Sequence, residues 1–394
     1  MSNALDDLAD PVAKIGDLAA AAGVRRVHVL AWRDLDDDEA GGSEVHIDEV
    51  AKLWAAAGVD VTMRTSFSPG RPQEAVRDGY KVVRRGSRYS VFPRAAAAEL
   101  FRRTGPRDVL IEIWNGMPFL SPIWNPGPRV TFLHHVHDAM WDMMLGPRLG
   151  AAGRFLEARV APPFYRRAPV VTLSESSKRE MVQALGFPEE RVSVVPPGID
   201  PRFSPGEVAL NDVPLAVACG RLAPVKRYDL LVRAAYEARR MVPDLQLEIV
   251  GEGFERPRLE ALIAELGAGD WVTLRGRISD EEQVDLYRRA WVVASASAHE
   301  GWGMTLTEAA ACGTPAVATR IAGHADAVRH GETGVLAEAD ELGGALASVL
   351  GDEVLRRRLA TGALAYARTL TWSNTSTELM RIIAAEVSRR RARS

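Results

Sequence analysis

At 394 residues the chain is long enough for two domains, each with a full hydrophobic core. Hydrophobic residues make up 47% and charged residues 26%, an ordinary balance for a soluble globular protein, and no apolar run nears the ~18 residues of a membrane span. The formal net charge of −3 implies no polyanion partner, and no aromatic-basic module supports nucleic-acid binding.

Residues 1–24 predict an extra element, a helix from about residue 8 to 22 that packs on the first domain and has no part in a site. The stretch 1–11 carries Asp6, Asp7 and Asp10 where a secretory signal would need basic and apolar regions. Cys219 and Cys312 fall in predicted buried segments without metal spacing, which reads as reduced core thiols in a cytoplasmic protein. Short β-branched runs then alternate with helical patterns, so the fold class is α/β with parallel sheets. Strands are predicted at 27–31, 59–63, 109–113, 130–133 and 170–173, and again at 216–219, 245–250, 271–275, 291–294 and 316–318. Prolines 196, 197, 201, 205 and 214 punctuate the boundary between the two sets. The expectation is two Rossmann-like, doubly wound domains facing a central cleft, 1–197 and 198–372, followed by a helical segment 373–394. In open α/β sheets ligands bind beyond the carboxyl ends of strands, and Gly41, Arg221, Glu252 and Glu300 all follow predicted strands.

In the first half, Asp34, Asp36, Asp37, Asp38 and Glu39 form an acidic run that reads as a solvated loop, with no cation site implied. Gly41 and Gly42 open a helix over 44–57 and offer backbone to a phosphate or an acceptor; a plain helix start is the competing view. Residues 71–107 hold ten Arg or Lys against three acids. With the apolar segment 140–145 they read either as a face for anionic lipid or a lipid-linked acceptor, or as a solvated surface plus an acceptor-pocket wall. The second reading is the plainer one, because 44 of the 49 basic residues are Arg and Arg clusters carry less meaning here. The same skew gives Lys226 added interest. His134, His135 and His137 follow the predicted strand 130–133, but three His in four residues lack the spacing and acidic or Cys partner of a zinc site.

In the second half, Arg221 and Lys226 follow the strand 216–219; a guanidinium fork and a point charge together suit a diphosphate. Glu252, between Gly251 and Gly253, reads equally as ligand contact or turn, and Arg277 with Ile278 follows the next strand. The segment His299-Glu300-Gly301-Trp302-Gly303-Met304-Thr305-Leu306-Thr307-Glu308 is the most specific in the chain. Two carboxylates stand across a glycine loop that opens into a helix, with Thr305 and Glu308 read as a capping box. Helix amides and a partial positive charge at that end favour an anion.

This segment resembles the E-x7-E motif of retaining glycosyltransferases of family 4, which have the GT-B fold. Gly220-Arg221-Leu222-Ala223-Pro224-Val225-Lys226 is similar to that family's G-R-L-x-x-x-K segment, and Gly41-Gly42-Ser43-Glu44 to its N-terminal glycine loop. Val195-Pro196-Pro197-Gly198-Ile199-Asp200 resembles its linker strand, with Pro197 in place of Asn; Gly251-Glu252-Gly253 and Trp372 fall in family order. The resemblance implies a metal-independent transfer of a sugar from a UDP- or GDP-sugar to a small-molecule, glycan or lipid-linked acceptor, with no other cofactor. Glu300 would contact the sugar, Glu308 the ribose, and the backbone of Gly303, Met304 and Thr305 the diphosphate, beside Arg221 and Lys226. Arg277 and Ile278 would pack on the base, and His134 or His135 would reach the sugar near the reacting carbon. The acceptor would attack the face from which the diphosphate leaves, with a donor phosphate oxygen taking the proton. The final helix would return to the first domain, and the enzyme would be cytoplasmic, with peripheral membrane contact as the further option. Two rivals share this fold: a sugar-nucleotide isomerase or phosphorylase, and a non-catalytic nucleotide-sugar-binding protein.

Overall fold

The computed structural model describes residues 3–38, 40–137 and 140–392 and divides into two compact units, 1–198 with 371–394, and 199–370. The first unit holds the strands β1 (Arg26–Leu30), β2 (Asp60–Thr65), β3 (Glu74–Arg77), β4 (Tyr80–Arg84), β5 (Val109–Trp114), β6 (Arg129–Leu133), β7 (Val170–Thr172) and β8 (Val192–Val194). Their order is β3-β4-β2-β1-β5-β6-β7-β8, parallel throughout except for the β3–β4 pair. The second unit holds β9 (Leu215–Cys219), β10 (Gln246–Val250), β11 (Val272–Gly276), β12 (Val292–Ser295), β13 (Ala316–Thr319) and β14 (Gly334–Ala337) in the order β11-β10-β9-β12-β13-β14. Nearly all central strand residues are buried, as sheets covered by helices on both faces require.

The hairpin β3–β4, β8 and β14 are additions to the predicted strands. Asp78 and Gly79, both at positive φ, make the two-residue connection of that hairpin, and Arg77 pairs with Tyr80 across it. The helix Asn3–Ala21 packs through Ile15 and Ala19 against Leu379, Ile383 and Val387 of the last helix, Trp372–Arg391. That last helix is pinned to the linker: Thr375 Oγ1 donates to the Pro196 carbonyl at 2.8 Å, and a side chain at Gly198 would strike Trp372 backbone at 2.2 Å. Among the described residues no helix is long and apolar enough to cross a membrane.

The acidic run is only in part a solvated loop, with Asp38 exposed but Asp34 and Asp36 held. Asp34 is buried against Arg84, and Asp36 meets Arg84 and Arg77 at 2.6 Å each. Asp48, on the helix Gly42–Ala56, joins from the other side, bonded by Tyr80 and by Arg77 at 3.3 Å. The sequence hides this pairing because the cations come from a hairpin some forty to fifty positions away. Glu39, within the same run, lies outside the described residues, as do the side chains of 142–145.

Candidate active site

The residues of the second unit converge at the carboxyl ends of β9 and β12, which are adjacent in the sheet. After β9 a short 3-10 turn, Pro224–Lys226, carries Lys226 back over Gly220. The Ala298 amide donates to the Val225 carbonyl at 2.8 Å and ties this turn to the loop after β12. Lys226 Nζ then lies 2.6 Å from Glu300 Oε1, and Ser297 Oγ donates to the same oxygen at 2.7 Å. Lys226 is 26% and Glu300 18% exposed, so the pair is largely shielded yet still reachable. Burial would raise the Glu300 carboxyl, but Lys226, then His324, outweigh it and hold the group below its ordinary range.

His324 is a supporting residue that the sequence did not single out. Its Nδ1 donates to the Thr319 carbonyl at 2.9 Å, its Nε2 lies 3.2 Å from Ser295 Oγ, and burial holds it below the usual imidazole range. One residue earlier, Gly323 lets Glu300 backbone approach so closely that a Cβ would sit 2.1 Å from its carbonyl oxygen. Such contacts fix the Glu300 loop from beneath.

The helix that follows is Met304–Ala311, capped by Gly303 at φ +125°. The expected capping box is therefore absent: Thr305 is already inside the helix, and Glu308 lies in its second turn. A positive-φ glycine turns the chain into the helix two residues early, and no side chain covers its start. Among the described residues the amides of Met304 and Thr305 have no protein acceptor, which leaves them for an anion. Glu308 faces the end of β9 near Asp200 and Tyr287; burial and then Asp200 push its carboxyl up to about 7, against the pull of Arg202.

The sign of that shift sets a pH test. A carboxyl whose folded value is raised holds its proton more tightly when folded, so its contribution is complete below about 4.5 and is lost as pH rises through about 7. We expect Glu308→Gln to flatten the fall in stability between those pH values by on the order of 2 kcal/mol, read from urea midpoints at each pH. Parallel wild-type and variant curves would contradict this.

Other residues of the second unit lie at varying remove. Arg221 follows β9 directly and is exposed. Glu252 is packed in by Gly251 and Gly253, whose Cβ atoms would meet the Gly220 and Leu222 carbonyls at 2.0 and 2.2 Å, but its carboxylate is held bidentately by Arg256 at 2.9 and 3.0 Å. Arg277 and Ile278 follow β11, the edge strand two places from β9, and so about 10 Å across the sheet from the Lys226 turn.

In the first unit the three histidines separate. His134 is a core residue, contrary to a role on a sugar: its Nε2 bonds His46 Nδ1 at 3.0 Å, and burial takes it down to about 4. His137 is locked by Glu157, which accepts from its amide at 3.1 Å and meets its Nδ1 at 3.2 Å. His135 is half-buried and stacked on His137 with centroids 4.6 Å apart, and its Nε2 is buried. Among the described residues no His, Cys, Asp and Glu group is arranged to hold a metal. Gly41 caps the helix Gly42–Ala56 and its amide is taken by Glu44 at 2.8 Å, so it is occupied with the helix start. Ser43 instead reaches Asn115 at 3.0 Å, and Asn115 reaches His137 at 3.0 Å, a link the sequence did not show.

Comparison with known proteins accords with this layout. Residues 40–203 match the family described as Glycosyltransferase Family 4, and residues 202–365 the one described as Glycosyl transferases group 1. A D-inositol 3-phosphate glycosyltransferase of Acidothermus cellulolyticus is 34% identical, the match covering 95% of this chain and 94% of that protein. Its namesake in Nocardia farcinica is 36% identical over 54% of this chain; the match spans about half the length of that relative, 51%, and 55% of the one in Stackebrandtia nassauensis. Among solved structures, sucrose-phosphate synthase from Thermosynechococcus elongatus has a TM-score of 0.77 at 22% identity, covering 90% of this chain and 97% of its own. HepE of Anabaena with UDP and glucose has a TM-score of 0.71 at 19% identity, covering 90% and 98%. At such identities these neighbours establish the fold, two Rossmann-like parallel sheets of the GT-B class.

Proposed function

Since this chain belongs to glycosyltransferase family 4, we propose that it transfers a sugar from a nucleotide-diphosphate donor, UDP- or GDP-linked, to a hydroxyl acceptor with retention of configuration. The observation that carries this is the Lys226–Glu300 pair, fixed by Ser297 and set beside a helix start whose first amides are open. An ammonium has three donors, so Lys226 can hold Glu300 and still meet phosphate oxygens. With Arg221 and the amides of Met304 and Thr305 it would offset charge that grows on the diphosphate as the glycosidic bond breaks. Such charge compensation makes a divalent cation unnecessary in this reading. Glu300, kept ionised, would accept from sugar hydroxyls, and Glu308 would bond the ribose. The attack proposed is on the face from which the diphosphate leaves, with a donor phosphate oxygen taking the proton. The part given to a histidine would fall to His135.

The relatives' names favour a phosphorylated cyclitol as acceptor. The test incubates the protein with UDP- and GDP-sugars and D-inositol 3-phosphate, with and without EDTA, and reads the product anomer by NMR. The expected product keeps the donor's anomeric configuration at an EDTA-insensitive rate. An inverted product overturns retention, and donor turnover without acceptor favours the isomerase or phosphorylase reading.

A further inference from the structure

The free edge of the first sheet carries different chemistry on its two faces. Alternation along β2 and β4 sends Met63, Tyr80 and Val82 toward the helix Gly42–Ala56. It sends Thr62, Arg64, Lys81, Val83 and Arg85 to the opposite face, beside the helix Val91–Leu100. There they line a cavity of about 450 Å³, together with Arg94 and Arg103. Five cations line it against a single carboxylate, Glu74. Glu74 is already shared, with Lys81 and Arg85 each 3.1 Å away.

Arg64 is the telling member. It is 9% exposed, and among the described residues the one hydrogen bond of its side chain is a long 3.5 Å contact with the Arg94 carbonyl, while its Nε is buried without an acceptor. The acid that attracts it, Glu99, is held by His28, Thr104 and Arg107. Burial draws the guanidinium below its ordinary range, and Arg85 and Arg94 add to this against Glu99. A buried cation facing other cations across an open cavity is costly unless something negative completes it.

We propose that this cavity binds a small, soluble, phosphate-bearing anion through Arg64, Arg85, Arg94 and Arg103. Planar guanidinium forks match phosphate oxygens in pairs, which lysines or a helix end would not do as well. The site lies against the face of β2 and β4 beside the helix Val91–Leu100, and it does not rest on the proposed transfer.

The test is a thermal-shift and calorimetric titration with sodium pyrophosphate against sodium chloride at equal ionic strength. Wild type should melt higher in pyrophosphate, and Lys226→Ala should keep that shift, which separates this cavity from the proposed donor site. The Arg94→Ala/Arg103→Ala double variant should bind pyrophosphate about tenfold or more weaker. In chloride alone it should melt no lower than wild type, because the removed charges repel Arg64; a lower melting point there would mark them as structural and overturn the proposal. Equal binding by wild type and double variant, or no shift over chloride, also overturns it. So does binding seen only as co-sedimentation with phosphatidylglycerol vesicles, since the anion would then be a lipid headgroup.

Discussion

Lys226→Ala should lower kcat for sugar transfer by roughly 10²–10³-fold, the loss typical of removing one preorganised donor from a developing anion. Lys226 is placed for this by three independent features. The 3-10 turn brings it back over β9, the Ala298–Val225 bond holds that turn to the β12 loop, and Glu300 fixes the ammonium at 2.6 Å. The loss should fall on kcat more than on KM, because charge on the leaving diphosphate peaks as the bond breaks. Circular dichroism and melting should change little, since both partners retain solvent contact. Lys226→Arg keeps the charge but not its shape and should recover only part of the rate. A variant within about fivefold of wild type in kcat would remove Lys226 from the mechanism.

What could be read from sequence divides by how local the signal is. The ten predicted strands have counterparts within a residue or two, because each is a short β-branched run bounded by turn residues. The loop Glu300–Gly303 was legible for the same reason, although its helix begins at Met304 through Gly303 rather than at a Thr305 cap. Features made by distant partners were not. Nothing near Asp34 announces Arg77 and Arg84, and nothing near His134 announces His46, 88 positions earlier. His324 and Gly323, which support Glu300 from the short helix Ala322–Ala327 after β13, were equally silent. The β3–β4 hairpin did carry a local sign, Asp78-Gly79 between two β-branched segments, but the charged residues Glu74, Arg77, Lys81 and Arg84 masked it.

That hairpin also anchors the second large effect. Arg84→Ala should destabilise the protein by about 3–5 kcal/mol, the usual cost of stranding a buried charge. Arg84 is fully buried and Asp34 is 1% exposed, so neither can exchange its partner for water. Arg84 also donates to the Pro72 carbonyl at 3.0 Å and shares Asp36 with Arg77, so one guanidinium holds the β1 loop to the sheet edge. Once it is gone, Asp34 keeps, among the described residues, Arg77 at 3.5 Å, and Arg77 is already engaged with Asp36 and Asp48. Arg84→Lys should be milder but still costly, because an ammonium cannot reach two carboxylates and a carbonyl in one plane. Asp34→Asn, in the Arg84→Ala background, should recover part of the loss by removing the stranded charge, a coupling that a double-mutant cycle measures directly. If urea unfolding shows Arg84→Ala within about 1 kcal/mol of wild type, water reaches Asp34 and the network is ordinary surface pairing. Because the Asp34 loop leads straight into the Gly41 helix start, the same variant should weaken any acceptor contact made there while leaving the Lys226–Glu300 pair of the second unit unchanged.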